Sequence, residues 1–261
     1  MSESLIRLQG IGFGYPGRTV LGGVDFSLGE GERVALLGGN GVGKSTLLQL
    51  MVGLLRPSGG RIHAFGRERV AESDFREVRA LAGLVFQDPD DQLFCPTVLE
   101  DVAFGPLNLG LDQAAAVERA LQTLAALGLE SLAGRITHKL SGGEKRLVSL
   151  ATVLAMRPRV LLLDEPGNGL DAPALQRLLG HLESLPQAMV LVSHDPRLIA
   201  RLANRAVLLQ DGRLHEAVLH SHPHAHEHVH LHVHVPGLES DHAHDRGPID
   251  HPGHAHGGTS E

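Results

Sequence analysis

Short, continuous apolar runs alternate with helix-like segments along most of the chain. Runs of this kind, without polar alternation, are typical of strands buried on both faces of a parallel sheet. The pattern therefore predicts an α/β fold with a mostly parallel core sheet. The predicted strands are Arg33–Leu37, Leu81–Phe86, Val160–Asp164, Met189–Ser193 and Ala206–Leu209, and the predicted helices include Lys44–Val52, Gln113–Leu127, Glu144–Met156 and Pro173–Leu185.

The two ends of the chain depart from this pattern. Residues Leu5–Leu28 alternate apolar and polar positions around a Gly-Tyr-Pro-Gly turn, which predicts a subdomain of antiparallel strands. From His215 onward the sequence is of low complexity, and histidine occupies every even position from His220 to His234. We find no internal repeat. The prediction is one globular domain over residues 1–215 and a mostly disordered tail over residues 216–261.

The charge distribution and the cysteine content argue against some classes of function. Residues 216–261 hold seven acids and one arginine, whereas residues 1–215 hold 22 bases and 23 acids, so the body lacks the basic excess of broad nucleic-acid binders. The single cysteine, Cys95, excludes an internal disulfide and fits a reducing compartment. Without a signal-peptide pattern or ~20 consecutive apolar residues, we expect the chain not to cross a membrane by itself.

A glycine-rich motif, GGNGVGKS, lies between the first predicted strand and the first predicted helix. It matches GxxxxGK[ST], whose glycines let successive backbone N–H groups face one point in front of a helix N-terminus. There Lys44 supplies charge for the β- and γ-phosphates of ATP, and Ser45 offers its hydroxyl to Mg²⁺. A chance match in a glycine-rich turn is the alternative. The predicted nucleotide-binding residues are Gly38, Gly39, Asn40, Gly41, Val42, Gly43, Lys44, Ser45 and Thr46.

Two acidic residues follow one another where the apolar run Val160–Asp164 ends. Next to a phosphate-binding loop, Asp164 would hold Mg²⁺, usually through water, and Glu165 would polarise the attacking water as general base. The alternative is a pair of solvated acids at a strand end. The glycine-rich motif upstream favours the catalytic interpretation.

A second glycine motif, LSGGE, begins a predicted helix. Ser141 and Glu144 have the spacing of a capping box, and the free N–H groups of the helix N-terminus would attract an anion. Gly142 and Gly143 would allow that anion to approach the backbone closely. A well-capped helix without a ligand is the alternative, and the spacing alone does not decide between them.

The order of these motifs, followed by Ser-His-Asp at 193–195, resembles that of ABC ATPases over roughly residues 4–215. The resemblance implies a P-loop fold with a helical signature subdomain at about residues 88–156. It also implies hydrolysis of ATP with Mg²⁺ by a dimer that encloses two ATP molecules. In that dimer Ser141, Gly142 and Gly143 contact the ATP held by the opposite subunit.

The same resemblance implies roles for four other residues. Tyr15 stacks on adenine, and Gln87 contacts Mg²⁺ and couples the ATP site to a membrane partner. His194 contacts the γ-phosphate and helps to position the water, while Asp171 communicates across the dimer. Simpler alternatives are that Tyr15 packs under a turn, with Phe13 as its rival for adenine, that Gln87 is an ordinary loop residue, and that His194 is structural.

This chain departs from the family pattern at two places. Gly167-Asn168 follows Asp-Glu-Pro, where the family usually has threonine, and this could loosen the loop between Glu165 and Asp171. Glu144 stands where glutamine is common, which adds negative charge beside the helix N-terminus. Neither change removes a catalytic group.

Two stretches, Val85–Phe94 and Thr97–Pro106, are similar to ATPases of energy-coupling-factor importers, especially the cobalt and nickel branch. The resemblance implies an ATPase subunit at the cytoplasmic face of the membrane, paired with itself or a paralogue and docked on integral membrane subunits. One alternative is an importer for a vitamin or another metal. Others are metal storage by the tail, or a soluble ABC protein acting on DNA or ribosomes, against which the single cassette and the neutral body count.

The histidine tail offers metal ligands independently of that resemblance. Neutral imidazole suits Ni²⁺, Co²⁺, Zn²⁺ and Cu²⁺, but affinity rises toward copper, so the tail cannot by itself select nickel. If the segment were extended, its period of two would place the histidines on one face and the valines and leucine on the other, as a ribbon at a sheet edge. A passive, solvated tail is the alternative. The candidate ligands are His220, His222, His224, His226, His228, His230, His232 and His234.

Overall fold

The computed structural model describes the backbone of residues 4–223 and 229–234 and the side chains of residues 4–219. None of the helices in this part of the chain has the length and apolar character needed to span a bilayer. The strands are β1 Ile6–Tyr15, β2 Arg18–Leu28, β3 Arg33–Leu37, β4 Gly59–Ala64, β5 Arg67–Arg69, β6 Ala82–Val85, β7 Val160–Asp164, β8 Ala188–Val192, β9 Arg205–Gln210, β10 Arg213–Pro223 and β11 Val229–His234. The helices are α1 Lys44–Met51, α2 Glu72–Leu81, α3 Val98–Asn108, α4 Gln113–Ala126, α5 Gly142–Leu154, α6 Ala172–Ser184 and α7 Pro196–Leu202.

The strands form two sheets. In the larger sheet the order is β11-β10-β9-β3-β8-β7-β6, and the five strands from β9 to β6 are parallel. The smaller sheet, in the order β2-β1-β4-β5, is antiparallel. These sheets confirm the predicted α/β fold with a mostly parallel core and an antiparallel β subdomain. Helices α3, α4 and α5 lie within the predicted helical range, residues 88–156.

Both faces of the core sheet are covered, which explains the continuous apolar runs. Along β7, Val160 and Leu162 belong to a buried cluster shared with α1 and the antiparallel sheet. Leu161 and Leu163 belong to a second cluster, formed with α3 to α6. Because successive side chains of a strand point to opposite faces, a strand between two apolar layers shows no polar alternation.

Helix α3 is not among the helices predicted individually from the apolar pattern, and it contains Gly105-Pro106. The helix begins at a capping box, in which Thr97 Oγ1 accepts a hydrogen bond from the Glu100 backbone N–H at 3.3 Å. A Cβ on Gly105 would lie 2.6 Å from Met156 Cγ. Gly105 therefore allows α3 to approach the end of α5 closely, and it does not mark a turn.

Part of the tail forms strands within the residues that the structure describes. Strand β10 crosses the predicted boundary at residue 215 and pairs with β9 as far as Ala217 opposite Ala206. It then pairs antiparallel with β11, from Val218 opposite His234 to Pro223 opposite Val229. The period of two along this segment suits a strand at the sheet edge, which the sequence offered only as an alternative. The predicted ligands His224, His226 and His228 lie outside the described residues.

Candidate nucleotide-binding and hydrolysis site

A cleft of about 580 Å³ opens at the carboxyl ends of β3, β7 and β8, beside the turn after β1. Ligands of open α/β sheets bind at this edge, because the loops that leave parallel strands meet there. The structure thus brings together the phosphate loop, the acidic pair and the histidine, which are far apart in sequence. The cleft is lined by Tyr15, Arg18, Val20, Asn40, Gly41, Gly43, Lys44, Ser45, Thr46, Gln87, Asp164, Glu165, Asn168, Val192 and His194.

The phosphate loop turns sharply between β3 and α1. Gly41 and Gly43 have φ angles of +72° and +112°, and a Cβ on Gly43 would lie 2.6 Å from Val20 Cγ1. The Lys44 ammonium donates to the backbone oxygens of Gly38 and Gly39, each at 2.8 Å. Within the described chain, α1 has neither a side-chain cap nor an acidic residue in its first turn. Its N–H groups and positive dipole end therefore face the cleft available for phosphate.

The carboxylate of Asp164 is suited to holding a divalent cation. Asp164 is only 6% exposed, and its Oδ1 accepts no hydrogen bond from any described residue. Burial raises the pKa of this carboxyl, while a hydrogen bond from Ser45 and the charge of Lys44 oppose the shift. A carboxylate oxygen beside a hydroxyl and the Gln87 side chain is a donor set of the hard oxygen type that Mg²⁺ prefers. The residues present therefore fit Mg²⁺.

Glu165 lines the cleft and is held in an unusual backbone conformation. Its φ angle is +48°, which is rare for a residue with a side chain, and its N–H donates to Val192 O at 2.9 Å. Oε2 accepts from the His194 backbone N–H at 3.3 Å. The His194 Nε2 atom lies 3.5 Å from Oε1, so this oxygen has no well-formed hydrogen bond within the described structure. Burial raises the pKa of Glu165, with His194 as the main opposing charge, and a raised pKa suits a general base.

Two residues at the mouth of the cleft belong to the turn between β1 and β2. Tyr15 is 50% exposed and lines the cleft, whereas Phe13 packs edge-on against it at 5.1 Å and lies against the core. This placement favours Tyr15 over Phe13 as the adenine contact, which stays a prediction. Arg18, which the sequence did not single out, donates to Gly41 O at 3.0 Å. The role of Arg18 is apparent only in the folded structure, where the turn between β1 and β2 lies against the phosphate loop.

The replacement of the usual threonine by Gly167 has a packing cause. A Cβ on Gly167 would lie 2.6 Å from a Leu198 methyl carbon and 2.9 Å from one of Leu175. The following residue, Asn168, lines the cleft and donates its backbone N–H to Glu165 O at 3.1 Å. The loop after Glu165 is thus packed and hydrogen-bonded, and the loosening expected from the sequence is not observed.

The second glycine motif begins α5 as predicted, but it lies outside the cleft of its own chain. The capping box is formed, with Glu144 Oε2 accepting from the Ser141 N–H at 2.8 Å and Ser141 Oγ accepting from the Glu144 N–H at 3.3 Å. Glu144 also pairs with Arg135 at 2.8 Å, which offsets the extra negative charge. Ser141 and Gly142 are exposed, and Gly143 is half-buried. This helix N-terminus therefore faces outward, where a second molecule could bring an anion to it.

The family assignment follows from these features together with one comparison. The sequence profile described as "ABC transporter" matches residues 21–168, which include the phosphate loop, the LSGGE motif and the acidic pair. The chain belongs to the ABC transporter family. It is an ABC ATPase, an enzyme that converts ATP and water to ADP and phosphate.

Related sequences extend the similarity beyond the profile. An ABC transporter ATP-binding protein of Brucella suis biovar 1 is 57% identical over 220 residues, which are 84% of this chain and 92% of the relative. Two proteins of Rhodobacter capsulatus, the nickel import ATP-binding protein NikO and the cobalt import ATP-binding protein CbiO, are 44% and 45% identical. Their matches cover 81% and 80% of this chain, and 87% and 77% of the relatives.

Solved structures show the same fold. The structure of cbiO1 from Clostridium perfringens, described as part of the transporter complex cbiONQ, has a TM-score of 0.72 at 35% identity, covering 82% of this chain and 87% of that one. The dimeric structure of the bacterial ABC transporter cassette MJ0796 has a TM-score of 0.73 at 28% identity, covering 80% and 96%.

Arg146 connects the signature helix of this ABC ATPase to two other motifs. Its side chain is buried, Nη1 donates to Glu165 O at 2.8 Å, and Nη2 donates to Gln87 O at 3.1 Å. Gln92 adds a second link, because its Nε2 donates to Ser149 O and to Thr152 Oγ1, each at 2.8 Å. Helix α5 therefore positions the backbone on both sides of the hydrolytic centre. Sequence reasoning missed both residues, since their partners are remote in the chain.

We expect Asp164→Asn to stabilise the nucleotide-free ABC ATPase while removing the proposed Mg²⁺ ligand. Asp164 is buried and one of its carboxylate oxygens, Oδ1, lacks a donor, so removing the negative charge should raise the free energy of unfolding by about 1–3 kcal/mol. Because the folded-state pKa is raised, the native protein binds this proton more tightly than the unfolded chain does. The gain should therefore be largest near ~pH 8 and shrink as the pH falls toward the range where the folded carboxyl protonates.

Thermal unfolding without nucleotide or Mg²⁺, at several pH values, measures this gain. Asp211→Asn is the matched control, because Asp211 is exposed and has a φ angle of +50° that asparagine also tolerates. An Asp164→Asn protein that melts at or below the temperature of the wild type would contradict the view that the buried charge of Asp164 destabilises the nucleotide-free protein.

Proposed function

We propose that this ABC ATPase powers the import of cobalt or nickel ions through integral membrane subunits at the cytoplasmic face of the membrane. The similarity to the relatives named for nickel and cobalt import carries the proposal, since it spans most of both chains. The stretches Val85–Phe94 and Thr97–Pro106, which resemble those of cobalt and nickel ATPases, support it. The residues that line the cleft are those expected of a nucleotide site, so we assign selection of the transported ion to the membrane subunits.

The proposed catalytic unit is a dimer, formed with a second copy or a paralogue. The outward-facing N-terminus of α5, with Ser141 as its cap, supports this arrangement because its N–H groups suit the γ-phosphate of an ATP bound to the other subunit. In each cleft Tyr15 would hold adenine, and Lys44 with the phosphate loop would hold the phosphates. The outward-facing helix end and the cleft would thus come from different subunits.

In the proposed reaction a water attacks the γ-phosphorus of ATP, and ADP leaves. Glu165 Oε1, which lacks a hydrogen-bond donor in the described structure, orients this water and takes up its proton. His194 lies beside Glu165 and would contact the γ-phosphate oxygens. Mg²⁺, held near Asp164, Ser45 and Gln87, would neutralise charge on the phosphates. The contribution of the protein is mainly positioning and electrostatic stabilisation.

An exposed aromatic surface, formed by Phe94 in the stretch that follows Gln87 and by Phe104 of α3, supports docking of a membrane subunit. Phe94 is 66% exposed, Phe104 is 42% exposed, and their rings meet edge to face at 4.8 Å. Leu107 extends the surface along α3. Exposed apolar groups of this size mark interaction sites, and Gln87 would report ATP binding to this one.

An uptake assay tests the transported ion. The chain, co-purified and reconstituted with its membrane subunits in vesicles, should take up Ni²⁺ or Co²⁺ with ATP inside and not without it. Zn²⁺ and vitamins serve as competing cargoes. Uptake of a vitamin alone would overturn the metal assignment, while the ATPase assignment would stand. Failure to co-purify with any membrane protein, together with association with ribosomes or DNA, would overturn the transport role.

A truncation separates transport from metal storage by the tail. Removal of all residues from Glu216 onward would also delete strand residues that pair with β9 and the contact between Glu216 and Arg205. A chain that ends at Leu219 keeps those interactions. Under our proposal it still supports ATP-dependent uptake. If uptake is unchanged but the truncated protein no longer binds metal, the result would favour metal storage as the role of the tail.

A further inference from the structure

The register of the β10–β11 hairpin brings four histidines together in pairs. His220 lies opposite His232, and His222 lies opposite His230. Residues that face each other across an antiparallel pair share one face of the sheet, and so do residues two apart along a strand. All four histidines are therefore on the same face of the hairpin. We call His220, His222, His230 and His232 the hairpin histidines.

The opposite face of the hairpin continues the hydrophobic core. Ala217 and Leu219 of β10 pack against a buried cluster that includes Ile199 of α7. Val233 is registered opposite Leu219, so it shares this apolar face. The hairpin histidines share their face with Val218, which is 43% exposed. The register thus places the hairpin histidines on the face of the hairpin opposite to the one that carries Ala217 and Leu219.

We propose that the hairpin histidines form a binding site for a divalent transition-metal ion of the Cu²⁺, Ni²⁺, Zn²⁺ and Co²⁺ class. Directly opposite residues have Cβ atoms about 4.5–5.5 Å apart, and residues two apart along a strand are separated by about 6.7 Å. Backbone positions with this spacing are close enough for histidines placed there to share one ion at metal–nitrogen distances of about 2.0–2.1 Å. Neutral imidazole is the preferred side-chain ligand of this class of metals.

Pairing between the strands distinguishes this site from the other histidines of the tail. A hairpin fixes the relative positions of its ligands before the metal arrives, so less conformational entropy is lost on binding. Among the side chains of residues 4–219, no group of three or more histidine, cysteine, aspartate or glutamate residues is placed to hold a metal. Strands β10 and β9 also separate β11 from β3, the strand that ends in the phosphate loop. The site is therefore separate from the ATP cleft.

Metal titration of the full-length protein without nucleotide tests the site. Zn²⁺ and Ni²⁺ are each titrated in a calorimeter, and Co²⁺ is followed by its visible absorption. Replacing all four hairpin histidines with asparagine should weaken the tightest site at least about tenfold, a loss of at least about 1.4 kcal/mol, because the ligand set is lost. The matched control replaces four histidines nearer the C-terminus, His242, His244, His251 and His254, and should change that affinity by less than about twofold.

Two outcomes would overturn the site. One is equal weakening by both fourfold variants, which would show that the histidines act as an unordered pool. The other is unchanged tight binding in the hairpin variant. Circular dichroism checks that the variants fold, and the double variant His220→Asn/His232→Asn, which removes one cross-strand pair, provides a milder test if the fourfold variant does not fold. The measurement needs no membrane subunit, so it is independent of the transport assignment.

Discussion

Replacing Glu165 with glutamine is expected to lower the rate of ATP hydrolysis by at least about 100-fold while leaving ATP binding intact. Glutamine keeps the size and the hydrogen bond to the His194 backbone, but it cannot take a proton from water. The charge of Lys44 and the phosphate loop are unchanged, so the phosphates still have their donors. ATP should therefore remain bound without turnover.

Phosphate release and retention of labelled ATP measure the two halves of this prediction. Glu68→Gln is the matched control, because Glu68 is exposed on β5 and makes only a long contact of 3.8 Å with Arg61. Its rate should equal that of the wild type. Turnover of the Glu165→Gln protein near the wild-type rate would remove Glu165 from the role of general base.

Lys44→Ala should weaken ATP binding at least about tenfold and abolish measurable hydrolysis. The ammonium donates to the loop carbonyls of Gly38 and Gly39, and its positive charge also offsets the negative charges of Asp164, which is buried, and Glu165, which is half-buried. Without the ammonium, the negative charges of Asp164 and Glu165 would repel the triphosphate more strongly. Burial lowers the pKa of Lys44, with these carboxylates opposing the shift, so its charge depends on the same acids.

Equilibrium binding of a fluorescent ATP analogue, with and without Mg²⁺, provides the measurement for Lys44. Arg76→Ala on the exposed face of α2 controls for the loss of one positive charge. Wild-type affinity in the Lys44→Ala protein would mean that the loop N–H groups alone bind the nucleotide, and our account of the cleft would be wrong.

The sequence predicted those parts of the site whose chemistry is local. A phosphate loop or an acidic pair can be recognised in the sequence because its residues are neighbours. Each of these motifs also follows a strand that its own apolar run predicts. The roles of Arg146 and Arg18 depend on backbone carbonyl groups that are distant in sequence. Arg146 donates to the carbonyls of Glu165 and Gln87, and Arg18 donates to that of Gly41. No periodicity indicates such contacts.

Two segments show how packing adds to what the sequence pattern predicts. In α3, the side chain of Met156 fills the space beside Gly105, and the helix continues through Pro106. At the start of the tail, β9 offers an edge to which β10 adds as far as Ala217. In both cases a partner that is distant in sequence determines the local structure.

The contacts of Arg146 also bear on how two ATP sites would work together. Ser141 caps α5 at the end that would meet the ATP of the other subunit, and Arg146, five residues along, is bonded to the backbones of Glu165 and Gln87. This helix thus joins the two sites physically, and nucleotide arriving at one site would be able to shift the hydrolytic residues of the other. If the sites are coupled in this way, we expect the rate of hydrolysis to depend sigmoidally on ATP concentration, and an inhibitor that occupies one site to slow both.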